Sequence, residues 1–193
     1  MLGPMPSPKE RILVAAGDIF ARQSISSATL DEIVASAGTT KMALYRHYEG
    51  RDDLVASWLS AVAAKSEERW RWLAETHTND PFAQILGWTR FMATRLPSPT
   101  SRGCPFVNVA AELQASDHPA WAVIRRHRQV VLGHIERLLE DAGVADPSRM
   151  ARGIMYLIDG AQGNAPGASS DVVAADLIHM VTLLIDAEAG KRS

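Results

Sequence analysis

Apolar residues in this chain recur every third or fourth position between clusters of Pro, Gly, Asn and Asp, and no segment shows four or more strictly alternating apolar and polar positions with β-branched enrichment. A chain patterned this way buries one stripe per helix and has nothing from which to build a half-buried sheet, so an all-α fold is expected. The first stripe, Ile12, Leu13, Ala16, Ile19 and Phe20, predicts a helix over Pro8 to Gln23. Ser7 can cap its first N–H groups, with Glu10 reaching back. Thr29 and Glu32 repeat that spacing ahead of a short stripe, Leu30, Ile33, Val34 and Ala37. Gly38 follows, where a left-handed residue ends a helix without a Cβ clash. Thr40 can cap a third helix, Lys41 to Tyr48, with Leu44 and Tyr48 on one face. Arg51 to Glu75, Pro81 to Leu96, Pro105 to Gln114, His118 to Ala142, Pro147 to Asn164 and Asp171 to Ala189 follow, about eight or nine helices in all with no fixed-period repeat.

A length of 193 residues fits one large domain or a small head on a larger body. The Arg51 to Glu75 segment is too long for a compact head alone, which divides the chain into a head over 7–54 and a body over 55–193. With 47% hydrophobic residues the chain can fill a core. Its net charge of −2 gives no general reason to expect a polyanion, so a nucleic-acid reading has to rest on local charge. Cys104 is the one cysteine, which excludes an intrachain disulfide and suits a reducing cytosol. The opening MLGPMPSPKE has no basic region followed by an apolar run, and no segment reaches about 18 uninterrupted apolar residues. The expectation is a soluble cytoplasmic protein with no membrane partner.

Local charge appears in the stretch AGTTKMALYRHYEGRDDL, residues 37–54. Two short helices joined by a tight turn at Gly38, with another packed behind, make a helix-turn-helix whose second helix is shaped to enter a major groove. With Leu44 and Tyr48 inward, Lys41, Met42, Ala43, Tyr45, Arg46 and His47 are left to face outward. Over residues 39–51, Lys41, Arg46 and Arg51 are opposed only by Glu49, a local excess of two positive charges in a negative chain.

The segment ERILVAAGDIFARQSISSATLDEIVASAGTTKMALYRHYEGRDDLVAS resembles the N-terminal domain of the tetracycline-repressor-like (TetR) family. That family's pattern is AA-x-x-x-F in the first helix, a second helix closed by A-G, and a recognition helix ending L-Y-x-H-F or L-Y-x-H-Y. Ala15, Ala16, Phe20, Ile33, Ala37, Gly38, Leu44, Tyr45, His47 and Tyr48 fall on it. The resemblance implies a dimeric, bacterial-type transcription regulator on a double-stranded DNA operator. It also implies that Thr40, Tyr45, His47 and Arg51 contact phosphates and set register, leaving Lys41, Met42, Ala43 and Arg46 for base edges. A good bidentate Arg or Lys contact to guanine discriminates by about 1 to 3 kcal/mol. Ser24 departs from the family's usual Gly after the first helix, and Met42 from a commonly small residue. A different turn and a bulkier groove contact are expected.

In the body, Trp88, Phe91, Met92, Phe106 and Trp121 are suited to an apolar ligand pocket, with Asn108 and Glu112, four apart on one helix, as polar anchors. Each is equally suited to a plain core or surface role. The resemblance implies a homodimer through residues 147–189, where Ile154, Leu157, Ile158 and Ala161 on one helix and Leu177, Ile178, Val181, Leu184 and Ile185 on the other form apolar stripes; periodicity alone fits a monomer core as well. Cys104, at a helix N-cap before Pro105, could be a low-pKa thiolate sensor or an inert small residue. His127 and His134, seven apart among Arg125, Arg126 and Arg128, suit a solvated surface better than a metal site. No cofactor motif, metal-ligand pattern or catalytic motif is present, so no enzyme is expected. A helical adaptor or a motif-free small-molecule enzyme is the alternative, and either leaves the Lys41 to Arg51 arrangement without a purpose. The expected activity is repression relieved when a small apolar or amphipathic inducer binds the body, with the Arg51 to Glu75 helix as the lever.

Overall fold

The computed structural model describes residues 6–99, 101–165 and 169–190. Among them lie nine helices: α1 Pro8–Phe20, α2 Leu30–Ser36, α3 Lys41–Tyr45, α4 Arg51–Thr76, α5 Pro81–Ala93, α6 Pro105–Glu112, α7 Ala120–Asp141, α8 Pro147–Asn164 and α9 Ser170–Ala189. The described residues form no strand, only an isolated bridge between Ser98 and Ser101. The all-α expectation holds.

Local chemistry explains most of the boundaries. Both capping boxes form, Ser7 with Glu10 and Thr29 with Glu32, so the N-cap and N3 amides of each helix are satisfied from its own sequence. Asp80 and Asp146 cap α5 and α8, each followed by Pro where no N–H is needed. α7 starts two residues later than expected: Pro119 is its N-cap, and the His118 ring, outside the helix, accepts the Ala120 N–H on Nδ1 at 3.1 Å. α1 ends at Phe20, three residues early, since the Arg22 and Gln23 amides both turn back to the Ile19 carbonyl.

The apolar interior falls into two clusters. One holds α1 to α3, the first turns of α4 (Leu54, Val55, Trp58 and Leu59), and Phe106, Val109 and Ala120 from α6 and the start of α7. The other joins Trp70 and Leu73 of α4 to α5, α8, α9 and the rest of α7. α4 runs through both, and the expected boundary between residues 54 and 55 falls inside the first. α6, on the body side of that boundary, thus packs Phe106 and Val109 against the head. No helix among the described residues is long and apolar enough to cross a membrane.

Candidate nucleic-acid interface

The turn between α2 and α3 is built by Gly38 at φ 58°. With Ala37 as C-cap, the Gly38 amide returns to the Ala35 carbonyl at 3.2 Å and the Thr39 amide to the Val34 carbonyl at 3.0 Å, the paired bonds of a Schellman end. Arg11 on α1 holds this turn from outside, its Nε donating to the Ala37 carbonyl at 3.1 Å. Thr40 then caps α3, its hydroxyl accepting the Ala43 N–H at 3.2 Å.

α3 has five residues, shorter than the Lys41 to Tyr48 helix expected from sequence. Its end is tightened by the His47 and Tyr48 amides, which both return to the Leu44 carbonyl at 2.9 Å. That turn sends Tyr48 into the core, 2% exposed, where its hydroxyl donates to the Lys9 carbonyl at 3.0 Å. Leu44 is fully buried beside it.

The opposite face is open. Met42 is 68% and Tyr45 56% exposed, large apolar groups that a helix without a partner would be expected to cover. Lys41, Arg46 and His47 are exposed around them, and Ala43 is half-buried. Arg46 Nη2 lies 3.6 Å from Met42 Sδ. Lys41 pairs with Asp31 of α2 at 2.9 Å, and this hydrogen-bonded carboxylate raises the ammonium pKa above its usual value. Both partners are exposed, so the pair adds little to stability.

Arg51 lies differently. It is half-buried, its Nη2 donating to the Ser26 carbonyl at 3.4 Å, while its Nε is buried without a hydrogen-bond partner. The guanidinium is turned onto the α1–α2 turn, so a phosphate contact requires it to swing out. That turn also accounts for Ser24: it does not adopt a positive φ, and its hydroxyl accepts the Ser27 N–H at 3.0 Å in place of the freedom a Gly would supply.

Of the body residues expected to share a pocket, Trp88 and Phe91 are in ring contact, centroids 5.5 Å apart, whereas Phe106 lies in the other cluster. Trp88 is buried in the second cluster, with Phe91 and Met92 packed against that cluster, and Phe106 is buried in the first. Trp121 donates from Nε1 to the Ala115 carbonyl at 3.0 Å. Asn108 donates to the Arg102 carbonyl at 2.7 Å, and Glu112 accepts the Ile25 N–H at 2.7 Å and Arg102 Nη2 at 2.6 Å, so both polar anchors are already engaged within the chain. Two open clefts lie along α4 and α7 instead, and none of the seven residues lines either. One, of about 430 Å³, is walled by Ser60, Ala63, Ala64, Glu67, Val123, Arg126, His127 and Val130. The other, of about 240 Å³, has Trp70, Arg71, Gln84, His134 and Arg137 around the same Glu67.

Neither histidine of α7 is simply solvated. His127 stacks on Phe106, ring centroids 3.8 Å apart, and burial pushes its pKa down to about 4. His134 stacks on Trp70 and takes a hydrogen bond from Arg137 on Nδ1 at 2.9 Å. Since Arg137 can only donate, the proton of a neutral His134 sits on Nε2, facing Glu67 at 3.3 Å. The sequence carried a signal for this: His127 lies four residues before Val131, on the face that Val131, Ile135 and Leu139 bury. Cys104 does occupy the N-cap of α6, but burial raises its thiol pKa and outweighs the backbone N–H groups of Phe106 and Val107, contrary to a thiolate sensor. Among the described residues no group of three His, Cys, Asp or Glu is placed to hold a metal ion.

Comparison with known proteins bears on the head first. A family model described as "Bacterial regulatory proteins, tetR family" matches residues 12–57. The HTH-type transcriptional regulator SrpR of Pseudomonas putida is 38% identical over 53 residues, 28% of this chain and 25% of its own. The HTH-type transcriptional repressor BepR of Brucella suis is 35% identical over 60 residues, 31% of this chain and 29% of its own. The alignment thus spans about a quarter of these relatives' lengths. The whole chain superposes on a TetR-family transcriptional regulator from Streptomyces coelicolor, with TM-score 0.85 and 28% identity over 94% of this chain and 95% of that one.

Proposed function

The chain belongs to the TetR family of bacterial regulatory proteins, and we propose from that premise that it is a cytoplasmic transcriptional repressor that grips operator DNA as a homodimer and lets go when a small molecule enters its body. The observation that carries this reading is the exposed face of α3. Lys41, Met42, Tyr45 and Arg46 stand in water on a helix whose other side is locked by Leu44 and Tyr48. A helix mounted this way can enter a major groove without reorganising the head. Thr40, Tyr45 and His47 are assigned to phosphates, with Arg51 joining them once its bond to Ser26 opens; Lys41, Met42, Ala43 and Arg46 are assigned to base edges. An adaptor or enzyme would have no use for this surface.

Dimerisation is assigned to α8 and α9, within residues 147–189, of which 166–168 lie outside the described residues. Tyr156 on α8 and Val172, Met180 and Leu183 on α9 are exposed. A Cβ added at Gly153, Gly160 or Gly163 would meet nothing within 4 Å, so this side of α8 is open to close approach by another helix. The inducer is assigned to the α4–α7 clefts rather than to a pocket around Trp88 and Phe106. Their walls combine apolar side chains with Glu67 and arginines, suited to an apolar or amphipathic molecule with one polar end. α4 runs from these walls to the head and is the lever.

The test is in vitro selection from a random duplex pool by the full-length protein. Enrichment of a two-fold-related pair of half-sites, lost in Arg46→Ala or Tyr45→Ala, supports the reading. Enrichment that survives both substitutions contradicts it.

A further inference from the structure

We propose that Arg102 and Glu112 form a latch that fixes the angle of the head on the body and thereby sets which half-site spacing the dimer accepts; the inference rests on the DNA-binding reading above. The α1–α2 turn has two backbone groups satisfied from the body. The Gln23 carbonyl accepts Arg102 Nη1 at 2.7 Å, across 79 residues of chain. The Ile25 N–H donates to Glu112 Oε2 at 2.7 Å, across 87 residues. Arg102 Nη2 and Glu112 Oε1 close the arrangement at 2.6 Å, with side chains 32% and 17% exposed. Each bond has an ionised partner in a partly dry setting, the condition under which hydrogen bonds are short and strong.

The latch is anchored from behind. Asn108 Nδ2 donates to the Arg102 carbonyl at 2.7 Å. The next residue, Gly103, has φ +84° and lies so close to Pro97 and Gln162 that a Cβ there would come within 2.7 Å of the Pro97 ring. The buried Gln162 of α8 accepts the Cys104 N–H at 3.2 Å. A continuous run of polar contacts thus joins α8 to the α1–α2 turn through residues 102–112. Arg51 adds a bond to Ser26 in the same turn.

Such bonds do what the surrounding apolar contacts cannot. Ile25, Phe106 and Val109 share a cluster, but apolar burial is non-directional and tolerates rotation of the head, whereas paired hydrogen bonds to two backbone groups do not. Half-sites recognised by a dimer lie about one helical turn or a multiple apart, so a rotation of each head changes the spacing that both recognition helices can meet together. Arg102 and Glu112 are positioning residues in this sense, distant from the groove.

The experiment takes the duplex enriched by the wild-type protein and moves its half-sites one or two base pairs apart or together. Wild-type affinity is expected to fall roughly tenfold or more on the shifted duplexes, within the usual range of coupling between sites. In Glu112→Ala and Arg102→Ala the penalty is expected to shrink to about threefold or less, and Glu112→Gln, which keeps an acceptor for Ile25, is expected to restore much of it. Amide hydrogen exchange at Ile25 provides a signature that a general loss of stability does not: fast in Glu112→Ala, slow in Glu112→Gln, with Ile33 slow in both. A Glu112→Ala protein that keeps the wild-type spacing preference, or an Ile25 amide equally protected in it, overturns the latch and leaves the DNA reading standing. Failure of any duplex to enrich overturns both.

Discussion

The phenol of Tyr48 donates to the backbone carbonyl of Lys9 at 3.0 Å, so the end of the recognition unit is tied to the first turn of α1 across 39 residues. The ring is buried, and desolvation, the larger cause, together with the nearby Asp53, raises its pKa above the usual value. A phenol whose folded pKa is raised lends its stability below the unfolded value of about 10, and that stability is lost as pH rises through the folded value. Tyr48→Phe keeps the packing and removes the bond; a loss of about 1 kcal/mol in urea unfolding at neutral pH is expected, with a flatter alkaline limb than wild type.

Gly38 offers a cleaner backbone test. Its φ is +58°, and an added Cβ would touch nothing within 4 Å, so the cost of Gly38→Ala is conformational and not steric. Chemical denaturation is expected to show a loss of roughly 1 to 2 kcal/mol, with Gly38→Asn losing less because Asn tolerates the left-handed region. An equal loss for both would point to contacts the turn does not display.

His127 predicts an acid limb. Its folded pKa is about 4, and the unfolded value is near the usual 6.5. Between those values the unfolded chain binds more protons, so stability falls as pH drops from about 6.5 and this contribution levels off below about 4. His127→Gln is expected to flatten urea midpoints across that window. An unchanged slope would place the acid sensitivity elsewhere.

The dimer face is testable by size. Leu183 and Met180 on α9 are 47% and 45% exposed, and Tyr156 on α8 is 65% exposed. Leu183→Glu combined with Met180→Glu is expected to convert a dimer to a monomer in light scattering while helicity by circular dichroism stays near wild type. A chain that remains dimeric would assign the interface to another surface.

How far each feature was legible depends on whether its cause is local. The helices were, because capping boxes such as Ser7 with Glu10 and a stripe such as Ile12, Ala16 and Ile19 lie within a few residues of one another. The head was legible for the same reason: Ala37, Gly38, Leu44, Tyr45 and Tyr48 are held at fixed offsets by one turn. The packing of the body was not. Trp88 and Phe106 look alike in sequence, yet pack in different clusters, and that choice is made by which helices cross, which no short stretch records. The contact of Glu112 with Ile25 could not be read either, since the two are 87 positions apart.

The most direct test of the account is the affinity of the full-length protein for the DNA flanking its own gene, measured by fluorescence anisotropy at ~50 and ~200 mM salt beside a scrambled duplex and a Tyr45→Ala control. Sequence-specific binding that weakens steeply with salt and is lost in Tyr45→Ala is predicted. Equal, weak binding of both duplexes, unchanged in Tyr45→Ala, would contradict a regulator acting at its own promoter through the face of α3.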